Sequence, residues 1–245
     1  ETSKLVIDEF DEMLNLGFRT QLTSILAMMK PKRQNILFSA TMTDEVDAVL
    51  NDFFDFPEEV SLAASGTPLE NITQFAYAVP NFNTKINLLK QLLEENEDMS
   101  RVLIFVNNKK ISDMLHESID EAFEGQFGVI HSNKSQNYRL NTMATFQEGN
   151  LRGIITTDIM ARGLDISDIT HVINFEMPEM PELYMHRIGR TGRADATGTA
   201  ISFYTPREEE FKLEAEVLMN TEIQNIPFPE SVEISLKLIG PEKDK

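Results

Sequence analysis

Three arginines recur at three-residue spacing in the segment His-Arg-Ile-Gly-Arg-Thr-Gly-Arg, residues 186–193. On a helical turn and the loop after it, this spacing places Arg187, Arg190 and Arg193 along one side. Guanidinium groups this close repel one another unless an anion is present, and bidentate binding of phosphate is the contact they make best. Each of the two glycines costs up to ~1 kcal/mol relative to alanine in a helix. The segment therefore predicts a phosphate-binding site, with a solvated basic turn as the alternative.

A second candidate segment, residues 156–165, reads Thr-Thr-Asp-Ile-Met-Ala-Arg-Gly-Leu-Asp. Its small hydroxyl residues and Gly163 let the backbone come close to a phosphate or a ribose. Asp165 can accept a hydrogen bond from a sugar hydroxyl. The alternative is an ordinary loop, but an ordinary loop needs no Arg-Gly pair flanked by acids. We interpret the segment as a contact with a phosphate or a ribose.

Residues 8–11 read Asp-Glu-Phe-Asp and directly follow the apolar run Leu-Val-Ile. A carboxylate at the end of a strand can hold Mg²⁺ on a nucleotide, usually through water, while the next acid orients or deprotonates an attacking water. The alternative is structural, because acids at the start of a helix are stabilised by the helix dipole. In that interpretation the helix runs to about Leu16, and Gly17 ends it.

Ser39 and Thr41 end another apolar run, about thirty residues after the acids. One interpretation is an ordinary N-cap for a helix that begins near Asp44. The other is that the two hydroxyls hydrogen-bond the acids of residues 8–11 across neighbouring strands. Taken alone, the residues favour the N-cap.

The candidate residues follow short apolar runs that lack the alternation of a half-exposed strand. Such runs are typical of strands buried on both faces, as in a parallel sheet. They occupy residues 5–7, 35–38, 101–106, 127–130, 153–157, 171–175 and 198–204. Between them, residues 84–95 and 111–123 carry apolar side chains at helical spacing. This alternation predicts an α/β fold, a parallel sheet with helices on both sides and ligands at the carboxyl ends of its strands.

A turn-rich stretch near residues 64–72 separates two regions of the chain. Residues 73–228 hold about six strand candidates, which suffice for a complete domain. The first 65 residues hold only two, too few for an independent sheet domain of the same kind. The chain starts with Glu rather than Met and runs almost at once into a strand-like stretch. We therefore expect it to be a piece of a longer protein.

The chain of 245 residues is acidic, with a net charge of −18, 25% charged residues and no cysteine. Without cysteine it has neither disulfides nor thiolate metal sites. No apolar run approaches the ~18 to 20 residues that span a bilayer, so we expect no membrane segment. Affinity for nucleic acid comes mainly from Lys and Arg, so such a site must be a local channel on an acidic body and must weaken steeply in salt. The charge equally serves to keep a protein soluble.

Taken in order, the strings DEFD, SAT, TTDIMARGLD and HRIGRTGR resemble the motifs of the DEAD-box RNA helicases, a branch of helicase superfamily 2. The resemblance covers residues 4–225, and Asn-Leu-Gly-Phe at residues 15–18 is similar to bacterial RhlE-like members. It implies two RecA-like domains joined by a linker, with ATP and single-stranded RNA binding across the cleft between them. The implied parts are the C-terminal portion of the first RecA-like domain, the linker, a complete second RecA-like domain and a polar C-terminal extension, at residues 1–65, 66–72, 73–228 and 229–245.

The resemblance also implies a role for each candidate residue. Two acids that organise the metal and activate water and two arginine fingers make up the catalytic set, which is Asp8, Glu9, Arg190 and Arg193. Nucleotide contacts are implied for both fingers and for Gly163 and Asp165, with Asp8 holding Mg²⁺ through water. Residues implied to couple the nucleotide state to RNA opening are Asp11, Ser39, Thr41, His186 and Arg187. Residues implied to grip the RNA backbone, whatever its base sequence, are Gln136, Arg139, Thr156 and Thr157.

The chain departs from the family pattern in two places. Phe10 stands where the family usually has alanine, so we expect altered packing behind the motif and retained chemistry. The string G-x-x-x-x-G-K-S/T occurs nowhere in the chain, so the loop that cradles phosphate is missing. We therefore expect a cytoplasmic RNA helicase that uses ATP and Mg²⁺ in the intact protein, and no activity from this chain alone. The alternatives are a non-enzymatic RNA-binding or adaptor module and a superfamily 2 motor that acts on DNA.

Overall fold

The computed structural model of the protein divides into two compact units, Glu1–Ala64 and Ser65–Lys245. The residues that the structure describes are 2–30, 32–39, 41–61, 69–158, 168–192, 196–239 and 242. In this part of the chain, no helix is both long enough and apolar enough to cross a membrane.

In the first unit, strand β1 (Lys4–Ile7) pairs in parallel with strand β2 (Gln34–Leu37). The segment between them forms helices α1 (Phe10–Asn15) and α2 (Arg19–Met28), and helix α3 (Asp44–Phe53) follows β2. The two predicted strands are thus confirmed in this unit.

The core of the first unit lies between this strand pair and its helices. Its buried side chains are Ile7, Phe10, Leu14, Leu22, Leu26, Val46 and Val49. Phe10 has no exposed surface, so its ring fills this core directly behind the acids on either side of it. The expected effect of Phe10 on packing therefore concerns this core.

The second unit holds a seven-stranded sheet in the order β5-β6-β4-β7-β8-β3-β9, with every neighbouring pair parallel. Its strands are β3 (Ile72–Ala78), β4 (Val102–Phe105), β5 (Phe127–Ile130), β6 (Gly153–Thr156), β7 (His171–Asn174), β8 (Gly198–Tyr204) and β9 (Gln224–Asn225). Its helices are α4 (Phe82–Glu95), α5 (Lys109–Asp120), α6 (Gln136–Gln147), α7 (Pro181–Ile188) and α8 (Glu209–Met219), and a 3-10 turn spans Leu69–Asn71.

Helices cover both faces of this sheet. On β4, Val102 and Ile104 pack in one cluster with α4 and α5, while Leu103 and Phe105 pack in another with α6. All residues of β4, β5, β6 and β7 are buried, which is why these strands appear in the sequence as continuous apolar runs. The predicted α/β fold with a parallel sheet flanked by helices is confirmed.

Two strands of the sheet were not predicted. In β3, the buried residues Ile72, Gln74 and Ala76 alternate with more exposed ones, so the strand is not a continuous apolar run. One side of β3 pairs with the whole of β8, but the other side meets only the two residues of β9. A strand next to a sheet edge needs less apolar surface, and a search for fully buried strands therefore missed it.

The segment after β9 lies along α4. The side-chain amides of Asn83 and Asn87 donate hydrogen bonds to the backbone carbonyls of Lys237 and Glu233, at 2.6 and 2.8 Å. The side chain of Asn81 caps α4 and also donates to a carbonyl of this segment. Three backbone carbonyls of the predicted polar extension therefore accept hydrogen bonds from asparagine side chains at the start of one helix.

Candidate active site

The acids of the first unit lie on a tight turn between β1 and α1. Glu9 has a φ of 50°, in the left-handed region that costs a non-glycine residue roughly 1–2 kcal/mol. Its backbone N–H donates to Asp8 Oδ1 at 2.9 Å, and the next N–H, of Phe10, donates to the Phe38 carbonyl at 3.0 Å. The turn is therefore held against the end of β2, and it leaves the Asp8 side chain exposed.

Asp11 is the buried acid of this turn, with 3% of its surface exposed. Its Oδ2 accepts hydrogen bonds from the Thr41 backbone N–H at 2.9 Å and from the Thr41 hydroxyl at 2.8 Å. Its own N–H donates to Ser39 Oγ at 3.3 Å, and that hydroxyl donates to the Thr41 carbonyl at 2.8 Å. The two hydroxyl residues therefore bond an acid across neighbouring strands.

The N-cap interpretation of Ser39 and Thr41 is wrong. Helix α3 is capped by Thr43, whose Oγ1 accepts the Val46 N–H at 3.3 Å. Because Thr43 caps the helix, the hydroxyl of Thr41 is not needed there and bonds Asp11 instead.

The oxygen donors of the acidic turn suit Mg²⁺, which keeps several waters and is bound by one or two carboxylates together with substrate phosphates. Within the described part of the chain, no three His, Asp or Glu side chains are grouped so that they could hold a metal ion on their own. Of the acids at residues 8–11, Asp8 is the exposed one, so its carboxylate is the one open to such a shared site.

In the second unit, the carboxyl ends of four neighbouring strands lie in register. Ile130 of β5 is opposite Thr156 of β6, Thr156 is opposite Phe105 of β4, and Phe105 is opposite Asn174 of β7. The polar residues that follow these strands therefore share one edge of the sheet, where open α/β sheets bind their ligands.

Arg187 of α7 is buried at this edge, with 1% of its surface exposed. Its Nε and Nη2 donate to the two carboxylate oxygens of Asp158, at 2.6 and 2.8 Å. Its remaining acceptors are Asn107 Oδ1 at 2.8 Å, the Glu176 carbonyl at 2.7 Å and Asn174 Oδ1 at 3.4 Å. The guanidinium also lies 5.2 Å from the ring centre of Phe105. The anion beside Arg187 is thus the protein's own carboxylate, and no shared phosphate is needed to explain this arginine.

Arg190 lies just beyond the end of α7 and is half-buried. Its Nε donates to the carbonyl of His186 at 3.3 Å, and His186 is half-buried on the last turn of the helix. The third predicted finger, Arg193, and the predicted nucleotide contacts Gly163 and Asp165 lie outside the described residues.

The predicted RNA contacts lie at the same edge of the sheet. Gln136 is exposed at the start of α6, and Arg139 is half-buried one turn later. The Nε of Arg139 is buried and has no hydrogen-bond partner among the residues that the structure describes. Thr156 is fully buried and its hydroxyl donates to the Thr157 carbonyl at 3.2 Å, so Thr157 is the more accessible threonine.

Three residues of the site were not assigned a role from the sequence: Asn107, Asp158 and Glu176. Each follows a strand of the sheet closely, which is the signal that points to them. Burial raises the pKa of Glu176, although its carboxylate accepts the Asn107 N–H at 2.8 Å. Together the three residues surround the guanidinium of Arg187.

Two family models match the chain. Residues 1–49 match the model described as "DEAD/DEAH box helicase", and residues 84–195 match the model described as "Helicase conserved C-terminal domain". These matches contain the acidic turn of the first unit and the arginine helix of the second.

Curated relatives and solved structures agree with these matches. The chain is 42% identical over 207 residues to the DEAD-box ATP-dependent RNA helicase CshA of Geobacillus kaustophilus, covering 83% of the chain and 43% of the relative. It is 37% identical over 236 residues to the ATP-dependent RNA helicase DbpA of Bacillus subtilis, covering 96% of the chain and 48% of the relative. The chain thus spans less than half the length of these curated relatives.

Among solved structures, S. cerevisiae Dbp5 bound to RNA and ADP BeF3 has a TM-score of 0.82 at 27% identity, covering 91% of this chain and 59% of that one. A DEAD box protein from Methanococcus jannaschii has a TM-score of 0.60 at 32% identity, covering 91% of this chain and 60% of that one.

Proposed function

We propose that the protein to which this chain belongs couples ATP hydrolysis to local unwinding of RNA, since the chain is a member of the DEAD-box ATP-dependent RNA helicase family. The structural observation that carries this proposal is the placement of α7 by Arg187. Its bonds to Asp158, Asn107 and Asn174 hold the helix across the carboxyl ends of β6, β4 and β7, which is the ligand-binding edge of such a sheet.

The catalytic roles follow from exposure and charge. Asp8, an exposed carboxylate, would hold Mg²⁺ through water, and the metal would neutralise charge on the nucleotide phosphates. Glu9, held by the turn beside it, orients the attacking water. Arg190 and Arg193 act as arginine fingers on the phosphates, and Gly163 and Asp165 contact the nucleotide. Guanidinium groups that stabilise the transition state are worth ~10³ to 10⁵ in rate.

RNA binding is assigned to the edge formed by α6 and β6. Gln136, Arg139 and Thr157 present polar groups there, and the backbone near Thr156 contributes. Amide, guanidinium and hydroxyl groups in this arrangement suit the sugar-phosphate backbone, so we propose binding without base specificity and with recognition of the 2′-hydroxyl. The similar structure of S. cerevisiae Dbp5 is bound to RNA and ADP BeF3, which supports RNA as the class of ligand.

Coupling between the nucleotide state and RNA is assigned to the residues that bond the acidic turn and α7 to neighbouring elements. In the first unit, Asp11 bonds Ser39 and Thr41, so a shift of the acidic turn moves the segment after β2. In the second unit, Arg187 ties α7 to three strand ends, and His186 lies on the same helical turn. We propose that these contacts transmit the nucleotide state to the RNA edge.

We propose the following parts for the chain. Residues 1–65 are the C-terminal portion of the first RecA-like domain, 66–72 the linker, 73–228 the second RecA-like domain and 229–245 a C-terminal extension. The positions of the two family matches and the division into two units support this organisation. A cytoplasmic location and a RhlE-like subtype belong to the same proposal.

The proposal is tested by the ATPase activity of the whole protein with RNA, with DNA and without nucleic acid. We expect stimulation by RNA, and no RNA-stimulated turnover from the 245-residue chain alone, because that chain has no G-x-x-x-x-G-K-S/T loop. Stimulation by DNA alone would indicate a DNA motor, and RNA binding without any turnover would indicate an adaptor. Arg190-dependent turnover by the isolated chain would overturn the expectation that the chain alone is inactive.

A further inference from the structure

His131 is a buried histidine to which the proposed function assigns no role. It is the first residue after β5, and 1% of its surface is exposed. The turn that it begins leads in four residues to Ser135, the N-cap of α6. The proposed RNA contacts Gln136 and Arg139 are on the first turns of that helix. A residue that holds this turn therefore holds the RNA edge.

The hydrogen bonds of the ring assign its tautomer. The backbone N–H of Asn133 approaches Nδ1 at 3.3 Å, so Nδ1 must accept and carries no proton. The other nitrogen, Nε2, then carries the proton and donates to Asp113 Oδ1 at 3.0 Å. A neutral imidazole of this tautomer satisfies both neighbours at once.

Asp113, on α5, is the anchor of this arrangement. Burial raises the pKa of Asp113, but hydrogen bonds from His131 and Lys134 outweigh it and hold the pKa below its usual value. The same oxygen receives both donors, since Lys134 Nζ lies 2.9 Å from Asp113 Oδ1. One ionised carboxylate thus fixes the ring and a side chain of the turn together.

A second contact from α5 closes the cluster. Lys109 Nζ donates to Asn133 Oδ1 at 2.9 Å, and the N–H of Lys134 donates to the His131 carbonyl at 3.0 Å. The side chains of His131, Asn133 and Lys134 therefore bond to α5, and the backbone of Lys134 bonds to that of His131. The next residue, Ser135, accepts the N–H groups that start α6, from Tyr138 at 3.2 Å and Arg139 at 3.0 Å.

We propose that His131 is a positioning element for RNA binding, with Asp113 fixing the ring so that Nδ1 is the acceptor. It sets the turn 131–135 and, through Ser135, the start of α6. Gln136 and Arg139 are then already positioned for the RNA backbone, which reduces the conformational entropy that this part of the chain loses when RNA binds. The inference rests on the proposed function. The essential feature is the acceptor at Nδ1, because no other group bonds the N–H of Asn133 in the part of the chain that the structure describes.

The whole protein is assayed for RNA-stimulated ATPase, with the RNA concentration varied at saturating ATP. In His131→Ala the N–H of Asn133 loses its acceptor and the turn loses its link to the ring, and we expect the KM for RNA to rise about ten-fold with kcat unchanged. His131→Gln keeps a donor in reach of Asp113 but removes the acceptor near Asn133, so it should behave like His131→Ala. His131→Asn keeps an oxygen close to the Nδ1 position and should stay within about two-fold of wild type.

The matched control is His116→Ala. His116 is half-buried and lies on α5, where its Nε2 contacts the Phe127 carbonyl at 3.0 Å, at the opposite end of β5. We expect the KM for RNA to stay unchanged in this variant. Amide hydrogen exchange gives a readout that does not depend on activity, since residues 133–139 should exchange faster in His131→Ala than in His116→Ala.

An unchanged KM for RNA in His131→Ala, or a fall in kcat that follows the thermal stability of the variants, would overturn the positioning role. The experiment distinguishes failure of the proposed function from failure of the role of His131. Wild-type protein without RNA-stimulated ATPase overturns the proposed function. Wild-type stimulation together with unchanged RNA affinity and unchanged exchange in His131→Ala overturns only the role of His131.

Discussion

The acidic turn at residues 8–11 and the arginine helix α7 have opposite charges and lie in different units, yet both are built in the same way. Each contains one buried charged residue bonded on several sides by the protein, Asp11 in the turn and Arg187 in the helix. Each also contains a more accessible charged residue three positions away, Asp8 and Arg190. The buried member holds the segment in place, and the more accessible member is the one to which we assign contact with a ligand.

The two buried members differ in their partners. Arg187 is paired with a second charge, the carboxylate of Asp158, while the acceptors of Asp11 meet the neutral donors of Thr41 and the backbone. Removing one side of a buried ion pair leaves the other charge uncompensated, which costs more than leaving neutral donors unpaired. Variants of the four residues should therefore separate by stability and by activity in a definite order.

The largest effect is expected for Arg190→Ala in the whole protein. Loss of an arginine finger should lower kcat for RNA-stimulated ATP hydrolysis by ~10³ or more, while the free energy of unfolding falls by only about 1 kcal/mol, for the hydrogen bond to His186. Steady-state ATPase and urea unfolding measure the two quantities. Arg207→Ala, at an exposed arginine of the same unit, is the control and should leave kcat unchanged. Near-normal kcat in Arg190→Ala would mean that the accessible arginine is not catalytic.

The next effect is expected for Arg187→Ala, on stability. The variant leaves Asp158 and Asn107 without the guanidinium that they share, and the free energy of unfolding should fall by about 3–5 kcal/mol. Urea unfolding of the chain measures this change. Adding Asp158→Asn to the variant should recover part of the loss, because the uncompensated charge is then gone. A loss no larger than that of Arg190→Ala would contradict the division into buried and accessible members.

A smaller loss of stability is expected for Asp11→Ala. The variant leaves the N–H and hydroxyl of Thr41 without their acceptor, which should cost about 1–3 kcal/mol. Asp8→Ala is the matched control, since the exposed carboxylate should contribute roughly 0.5 kcal/mol or less. Equal losses in the two variants, measured by urea unfolding, would show that the acidic turn has no buried anchor.

The smallest effect concerns pH and Glu176, the acid beside Arg187. Burial raises the pKa of Glu176 above its ordinary value of 4.5, so between these two values the folded state holds a proton that the unfolded state has lost. Stability from this group is therefore fully present below pH 4.5 and falls as the pH rises through the raised pKa. Glu176→Gln cannot ionise, and its unfolding free energy should fall less than that of wild type over this range. Parallel pH profiles would exclude the effect.

The sheet of the second unit shows how far the sequence predicts the fold. Strands β4 to β7 are buried on both faces, so their apolar runs are visible without any knowledge of their neighbours. The missed strand β3 depends on its place beside the edge, which no local pattern contains. Helix α5 ends at Asp120, before the predicted end at residue 123. Phe123 lies in the turn after the helix and still packs in the core, so its apolar side chain extended the helical pattern too far.

The candidate site, like the fold, could be predicted from the sequence only in part. The charged segments and their positions after strands pointed to phosphate and metal chemistry, and the family resemblance pointed to RNA. The roles of individual members did not follow from those segments. Spacing alone made Arg187 and Arg190 equivalent, and it favoured an N-cap for Thr41 over its contact with Asp11.

By itself, then, the sequence determined the α/β class, the positions of the strings and the family, since these depend on local composition and order. Only the tertiary structure decided which charges are internal. The bonds from Arg187 to Asp158 and from Thr41 to Asp11 join residues 29 and 30 positions apart. Their formation depends on which strands are neighbours and in which register, and burial then makes each bond strong because water is excluded.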